Sequence, residues 1–290
     1  MVNKPHVLST LVEAGIRHVV ICIQAEDCDQ NIIYQVHEKL IALRKITATL
    51  ACTIKFECVP SSVQFSQLLT IICPVQLCII PYKINKESTV KTFASLINSL
   101  NSEMLTKFAL SNIPSDDFQW VIENARAASP HLVMYHFPQF SMPNFQMRQV
   151  DMAHSRTVNV MYSMPSMENI MEQFAKVDYM DRLIESYDKH PITIVTKFLL
   201  QIGAVIIFPI TIPDDIMLQH VAPLCHPFSN RRTFFSSIAI KRFMLTDEHV
   251  EEMVLASEAV ELKQDEYWKQ HAESSAPPRQ LFEIPCEERI

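Results

Sequence analysis

Apolar positions recur along the chain in one arrangement: residues at i, i+3 and i+5, then a turn marked by proline or a capping residue, then a helical stripe. Around "TKFALSNIPSDDFQWVIENA" the apolar set is Leu105, Phe108 and Leu110, followed by Pro114, Asp116 and Asp117 and the stripe Phe118, Val121 and Ile122. "VIIFPITIPDDIMLQHVAPL" repeats it with Val205, Phe208 and Ile210 and the acids Asp214 and Asp215. A third copy supplies Ile240, Phe243 and Leu245 with Thr246 as N-cap. A fourth runs through Val160 and Tyr162 to Ser163, Pro165 and the stripe Met167, Ile170, Met171 and Phe174. Weaker copies begin at Ala51, Leu77 and Leu132, and "IRHVVICIQ" reads as a first strand.

Successive side chains of a strand point to opposite faces, so in each unit the i+3 and i+5 residues face a core and the residue between them faces away. The helix that follows lays its stripe over the same core. Unit starts at 51, 77, 105, 132 and 157 lie about 27 residues apart. The series then stretches through a degenerate unit near Leu183 to Val205 and Ile240. One such unit cannot close its core alone, and stacking on neighbours predicts a repeat array.

Leu105-x-x-Phe108-x-Leu110 stands in the place of L-x-x-L-x-L, and over most of residues 16 to 260 the pattern resembles the leucine-rich repeats of the ribonuclease-inhibitor type. Asn112 matches the asparagine after the strand, while Ser163, Thr211 and Thr246 occupy the turn elsewhere. Divergent, cysteine-rich, glycine-poor repeats of this kind are similar to the substrate-binding portions of F-box proteins, especially the large nematode families, here without a visible F-box in residues 1 to 45. The resemblance implies an α/β curved leucine-rich-repeat-like solenoid over residues 1–262, parallel strands on the concave side and helices outside. Residues 263–290 would form a polar helix and flexible tail. It implies a non-enzymatic protein-protein interaction module, the substrate-recognition part of a cullin-type ubiquitin ligase receptor, with a protein partner and no cofactor. The concave face would then present Lys55, Glu57, Lys107, Ala109, Met134, His136, Asn159, Met161, Arg242 and Met244 to that partner.

Composition narrows the classes. Among 290 residues, 48% are apolar and 20% charged, which is ordinary globular usage and excludes a disordered or fibrous chain. The net charge of -7 is spread out, and no block of Lys and Arg interleaved with aromatics offers a nucleic-acid groove. Runs such as "VVICI" and "AVIIF" are strand-sized, and the opening residues lack a long apolar stretch. No membrane partner is expected, and the location expected is intracellular, cytoplasmic or nuclear. Two glycines, Gly15 and Gly203, leave no glycine-rich phosphate loop.

The candidate chemistry is sparse. None of eight cysteines forms a C-x-x-C pair, and Cys22, Cys52, Cys73 and Cys78 sit in apolar runs, as small buried hydrophobes do, so no metal or disulfide framework is expected. His131, His136, His154, His220, His226 and His249 lack metal-ligand spacing, and Pro223 breaks the helix that would align His220 with His226. The acid pairs Asp116–Asp117 and Asp214–Asp215 each follow a proline at a helix start, where they meet the positive end of the dipole. Met164, Met167 and Met171 read as core filling. The alternative function is a small intracellular α/β enzyme with a cysteine nucleophile, Cys225 beside His226 being the most exposed-looking pair.

Overall fold

Strand and helix alternate through the computed structural model, which describes residues 18–23, 51–72, 75–99, 107–138, 144–164, 177–207 and 243–271, with isolated residues at 34–41, 142, 172 and 173. The strands are β1 (His18–Ile23), β2 (Ala51–Phe56), β3 (Leu77–Pro81), β4 (Lys107–Ser111), β5 (Leu132–Phe137), β6 (Asn159–Ser163) and β7 (Val205–Ile207). They form one seven-stranded sheet in sequential order, every neighbour parallel. Parallel neighbours require a crossover. Helices α1 (Ser62–Ile72), α2 (Lys86–Asn98), α3 (Ser115–Ala128) and α4 (Met147–Ser155) supply one each from β2 to β6. The pair α5 (Asp178–Tyr187) and α6 (Pro191–Gln201) fills the longer step to β7, and α7 (Asp247–His271) follows. No helix among the described residues is long and apolar enough to cross a membrane.

The local chemistry explains the boundaries. Asn85 opens α2, its side-chain oxygen accepting the Ser88 N–H at 2.8 Å, an ordinary N-cap. Pro191 occupies the first turn of α6, where its missing N–H costs nothing. Asp116 and Asp117 lie in the first turn of α3, as the dipole favours, with no side-chain capping bond from Pro114 at the N-cap. Asn112 adopts φ 60°, a left-handed conformation that asparagine tolerates, and it turns the chain out of β4.

One face of the sheet meets the helices. Ile54, Phe56, Cys78, Ile80, Phe108, Leu110, Tyr135, Phe137, Val160 and Tyr162 share a buried cluster with Phe65, Phe93, Phe118, Val150, Leu183, Phe198 and Met253. Aromatic rings run through it, Phe93 edge-on to Phe108 at 5.6 Å and Phe118 edge-on to Tyr135 at 4.6 Å. The opposite face has a smaller cluster of its own, Leu77, Ile79, Ala109 and Met161, joined by Val133, Met134 and Ile207 and by no helix residue among those described.

That second cluster overturns the solenoid. A leucine-rich-repeat arc leaves its concave strand face to solvent, yet Ile79 and Ala109 are 0% exposed and Met161 2%. A parallel sheet buried on both faces, with strands in sequential order and helices on one side, is the wall of a barrel. The architecture is a seven-stranded partial barrel, and the second cluster lines its inner face, the lumen side.

The third repeat copy also fails. Phe243 and Leu245 are buried, but Phe243 to Thr246 form no strand; the Phe243 ring lies 5.1 Å from Tyr187 and α7 begins at Asp247. Met244, expected on the sheet face, is exposed and off the sheet. The degenerate unit near Leu183 consists of α5 and α6. Phe208, Ile210, Asp214, Asp215, Arg242, Met167, Met171, Cys225 and His226 lie outside the described residues.

Candidate functional site

The strand register sorts the inner-facing residues into layers. Cys22, Lys55, Ile79, Ala109, Met134 and Asn159 stand side by side across β1 to β6. One step toward the C-terminal strand ends come Pro81, Ser111, His136, Met161 and Val205, and beyond them Ser163 beside Ile207. The polar atoms of β4, β5 and β6 therefore collect at the C-terminal mouth. In barrels of parallel strands that is the end where the βα loops converge and reacting groups sit.

His136 is fully buried there, and its Nε2 lies 2.7 Å from the Ser163 hydroxyl oxygen. Its Nδ1 has no partner, and neither does the Ser111 hydroxyl on the adjacent strand at the paired register position. Burial, and after it the ammonium of Lys55, brings His136 down to about 3, so the imidazole is neutral at physiological pH. An unpaired buried polar atom costs about 1–3 kcal/mol. Two of them side by side on a largely apolar wall mark a place prepared for a polar group.

The Ser163–His136 pair does not make a hydrolytic dyad. A base that protonates only near pH 3 takes no proton from a serine at neutral pH, and Nδ1 lacks the carboxylate that orients such a histidine. Lys55 is the cation of the described wall's middle layer, held by Glu57 at 2.9 Å, its side chain 16% exposed. Cys22 stands beside it in register; burial raises its thiol, against the pull of Lys55 and with the push of Glu57. A thiol held protonated is a poor nucleophile. Cys52 and Cys78 are buried on the helix side, where burial pushes Cys78 further up. No group of three or more His, Cys, Asp or Glu among the described residues is placed to hold a metal ion.

Of the residues expected on a concave face, Lys55, Ala109, Met134, His136, Asn159 and Met161 hold register positions on the inner wall, with Glu57 just past β2. Only His136 belongs to the polar mouth. Met161 stands beside His136 in the same layer, Ala109 and Met134 build the apolar layer below, and Lys107 and Asn159 begin their strands toward the opposite end. Ser111 and Ser163 were not singled out on the sheet face, although each lies two residues beyond an inner-facing position, Ala109 and Met161. The period of 2 would have found them.

No protein-family model matches the sequence, and no curated protein is similar to it in sequence. Solved structures share its fold. An aldo-keto reductase from a Medee basin deep-sea metagenome library superposes with TM-score 0.63 at 13% identity, over 88% of this chain and 87% of the other. The aldose reductase from Schistosoma japonicum gives 0.59 at 14%, over 86% and 82%. An aldo-keto reductase complexed with NADPH gives 0.55 at 16%, over 86% and 76%. The partial barrel thus matches the (α/β)8 barrel fold of these solved structures. These likenesses remove the leucine-rich-repeat and F-box resemblance. With it goes the basis for expecting a non-enzymatic recognition module for a ubiquitin ligase, since the solved structures that share the fold are of reductases.

Proposed function

We infer that the protein is an oxidoreductase acting on a small carbonyl compound at the C-terminal mouth of its inner wall. The observation that carries this reading is the open pair formed by His136 Nδ1 and the Ser111 hydroxyl, buried on adjacent strands without partners. A neutral imidazole and a hydroxyl suit an uncharged group that both donates and accepts, as an amide does. The carboxamide of a nicotinamide meets that description, and one structural neighbour is complexed with NADPH. With only two glycines in the chain, the phosphates of a dinucleotide would rest on side chains and helix ends instead of a glycine-rich loop.

When bound, a reduced nicotinamide would supply a hydride, and Ser111 and His136 would orient its amide. The charge of Lys55 stabilises an oxygen that becomes negative, and its ammonium holds the proton such an oxygen takes up. Glu57 fixes Lys55 at 2.9 Å. Because His136 stays neutral, it does not compete for that proton. Leu77, Ile79, Ala109, Met134 and Met161 keep water from the floor. The enzyme half of the alternative is retained; the cysteine nucleophile has no activated thiol on the described wall.

The test is oxidation of reduced nicotinamide dinucleotide, followed by absorbance, with a panel of small aldehydes and ketones. Lys55→Met should lower kcat by about 100-fold or more, the usual contribution of a positioned proton donor. His136→Leu should weaken cofactor binding about 10-fold, as expected for one lost hydrogen bond to an uncharged group. Wild-type protein with neither binding nor turnover would remove the reading.

A further inference from the structure

Helix α4 begins without a cap of its own. Gln146 at its N-cap has φ 54° and makes no side-chain capping bond. The first N–H groups of a helix need acceptors, and here they come from α7, more than a hundred residues away. Glu261 accepts the Met147 N–H through Oε1 at 2.7 Å and the Arg148 N–H through Oε2 at 3.4 Å. Ser257, fully buried, accepts the Phe145 N–H at 2.8 Å and donates its own proton to Glu261 Oε1 at 3.2 Å.

The bonds continue to the mouth of the barrel. The Phe145 carbonyl accepts the Tyr162 hydroxyl. Tyr162 stacks on Phe137 with ring centres 4.6 Å apart, and it directly precedes Ser163, whose hydroxyl lies 2.7 Å from His136 Nε2. Phe137 in turn directly follows His136. Both neighbours of the Ser163–His136 contact are thus fixed by one tyrosine, and that tyrosine is fixed by a loop that α7 holds. The Glu261 charge also acts on Tyr162, adding to the burial that raises its hydroxyl.

We propose that Glu261 is a positioning residue: by capping α4 from α7 it sets Phe145 and Tyr162, and through them the orientation of His136 and Ser163 at the mouth of the inner wall. The functional importance of this device rests on the oxidoreductase reading of that mouth, but its geometry does not. Arg148 on α4 and Tyr162 on β6 are the charged or titratable groups that act on the carboxylate, Arg148 favouring its ionised form. Burial works against ionisation and is the larger influence, so the carboxyl is raised. A carboxamide avoids that penalty and keeps an Oε1 acceptor for Met147. Charge is therefore dispensable, whereas the acceptor is not.

The experiment pairs hydrogen exchange at the Phe145, Met147 and Arg148 amides with the ring ¹⁵N signals of His136, on the full chain without ligand. In Glu261→Ala, exchange at Met147 should quicken at least about 10-fold, the loss expected with one helix-capping bond, and the His136 signals should shift. Glu261→Gln should keep Met147 exchange and the His136 signals near wild type while Arg148 exchange quickens, because its acceptor Oε2 is replaced by an NH2 donor. Tyr162→Phe should shift the His136 signals while Met147 exchange stays slow. Unchanged exchange in Glu261→Ala overturns the cap. Faster exchange with an unmoved His136 overturns the positioning role, leaving only a structural one. If Glu261→Ala does not fold, Ser257→Ala takes its place, with faster exchange expected at Phe145 and the same shift expected at His136. Failure of wild-type protein to bind reduced nicotinamide dinucleotide would count against the oxidoreductase reading, and none of these readouts depends on it.

Discussion

The two faces of one sheet do different work. The face toward the helices is apolar from β1 to β7, with Phe56, Phe108, Tyr135, Phe137 and Tyr162 packed into a cluster that draws residues from every helix. The tyrosine hydroxyls that its strands bury are bonded: Tyr162 donates to the Phe145 carbonyl and Tyr135 lies within hydrogen-bonding reach of Ile113, while on α5 the Tyr179 hydroxyl of the same cluster has no partner. The face toward the lumen is apolar only at its middle, and at its mouth it buries His136 Nδ1 and the Ser111 hydroxyl unpaired. Within the strands themselves, bonded tyrosine hydroxyls on one face and the unpaired His136 Nδ1 and Ser111 hydroxyl on the other separate what holds the fold from what the fold presents.

The comparison is most exposed to failure at Phe108. Phe108→Ala empties a fully buried site between Phe65 and Phe93 and should cost about 3–5 kcal/mol in denaturant unfolding. A near-wild-type midpoint would mean the helix-side cluster is not the main stabiliser. On the other face, Met161→Ala should cost about 2–5 kcal/mol because Met161 is buried in the inner-face cluster. An open concave sheet would lose almost nothing, so a negligible loss would reinstate an arc in place of a barrel.

A pH series separates the faces further. His136 binds its proton near pH 3 when folded and near 6.5 when unfolded, so between those values the unfolded state carries more protons. Stability from this group is complete above pH 6.5 and falls as pH drops toward 3, by at most about 1.4 kcal/mol per unit. His136→Leu should flatten that part of the curve and change stability at pH 7 little, since removal of the unpaired Nδ1 is offset by loss of the Nε2 contact with Ser163. The smallest effect is expected on the rim: Asn85→Ala should lose about 1 kcal/mol, the value of one N-cap, without touching either face.

Much of the βα rhythm was legible in the sequence. Strands were expected from 51, 77, 105, 132 and 157, and they begin at Ala51, Leu77, Lys107, Leu132 and Asn159. The residues between the core positions were correctly separated from Phe108, Leu110, Val160 and Tyr162, because the period of 2 is a local property. The closure of the wall was not legible by the same means. A βα unit of this length serves an arc and a barrel alike, and the two differ in what the inner face meets, which depends on strands far apart in the chain. Ile79, Ala109 and Met161 carried the signal: apolar residues on both faces of a strand mark a sheet covered twice. Of these, Ala109 and Met161 belong to the expected partner-binding face, and Ile79 does not.

The site was legible in part. His136 was placed on the right face but regarded as an ordinary structural or surface histidine, and Ser111 and Ser163 at the same parity passed without notice. The bond between Glu261 and Met147 joins residues 114 apart and has no local sequence signature. The third copy misled because Phe243 and Leu245 bury as a strand's residues would while serving only to seat the start of α7.

The most direct measurement is ¹⁵N NMR of histidine-labelled protein, following the His136 ring nitrogens through a pH titration and then through addition of reduced nicotinamide dinucleotide. We expect a neutral imidazole that does not titrate from pH 8 to about 4.5, and an Nδ1 signal that moves saturably with the cofactor in wild type but far less in Ser111→Ala. A His136 that titrates near 6.5, or an Nδ1 that ignores the cofactor, would contradict the proposal that the mouth of this inner wall is built around a neutral histidine awaiting a ligand.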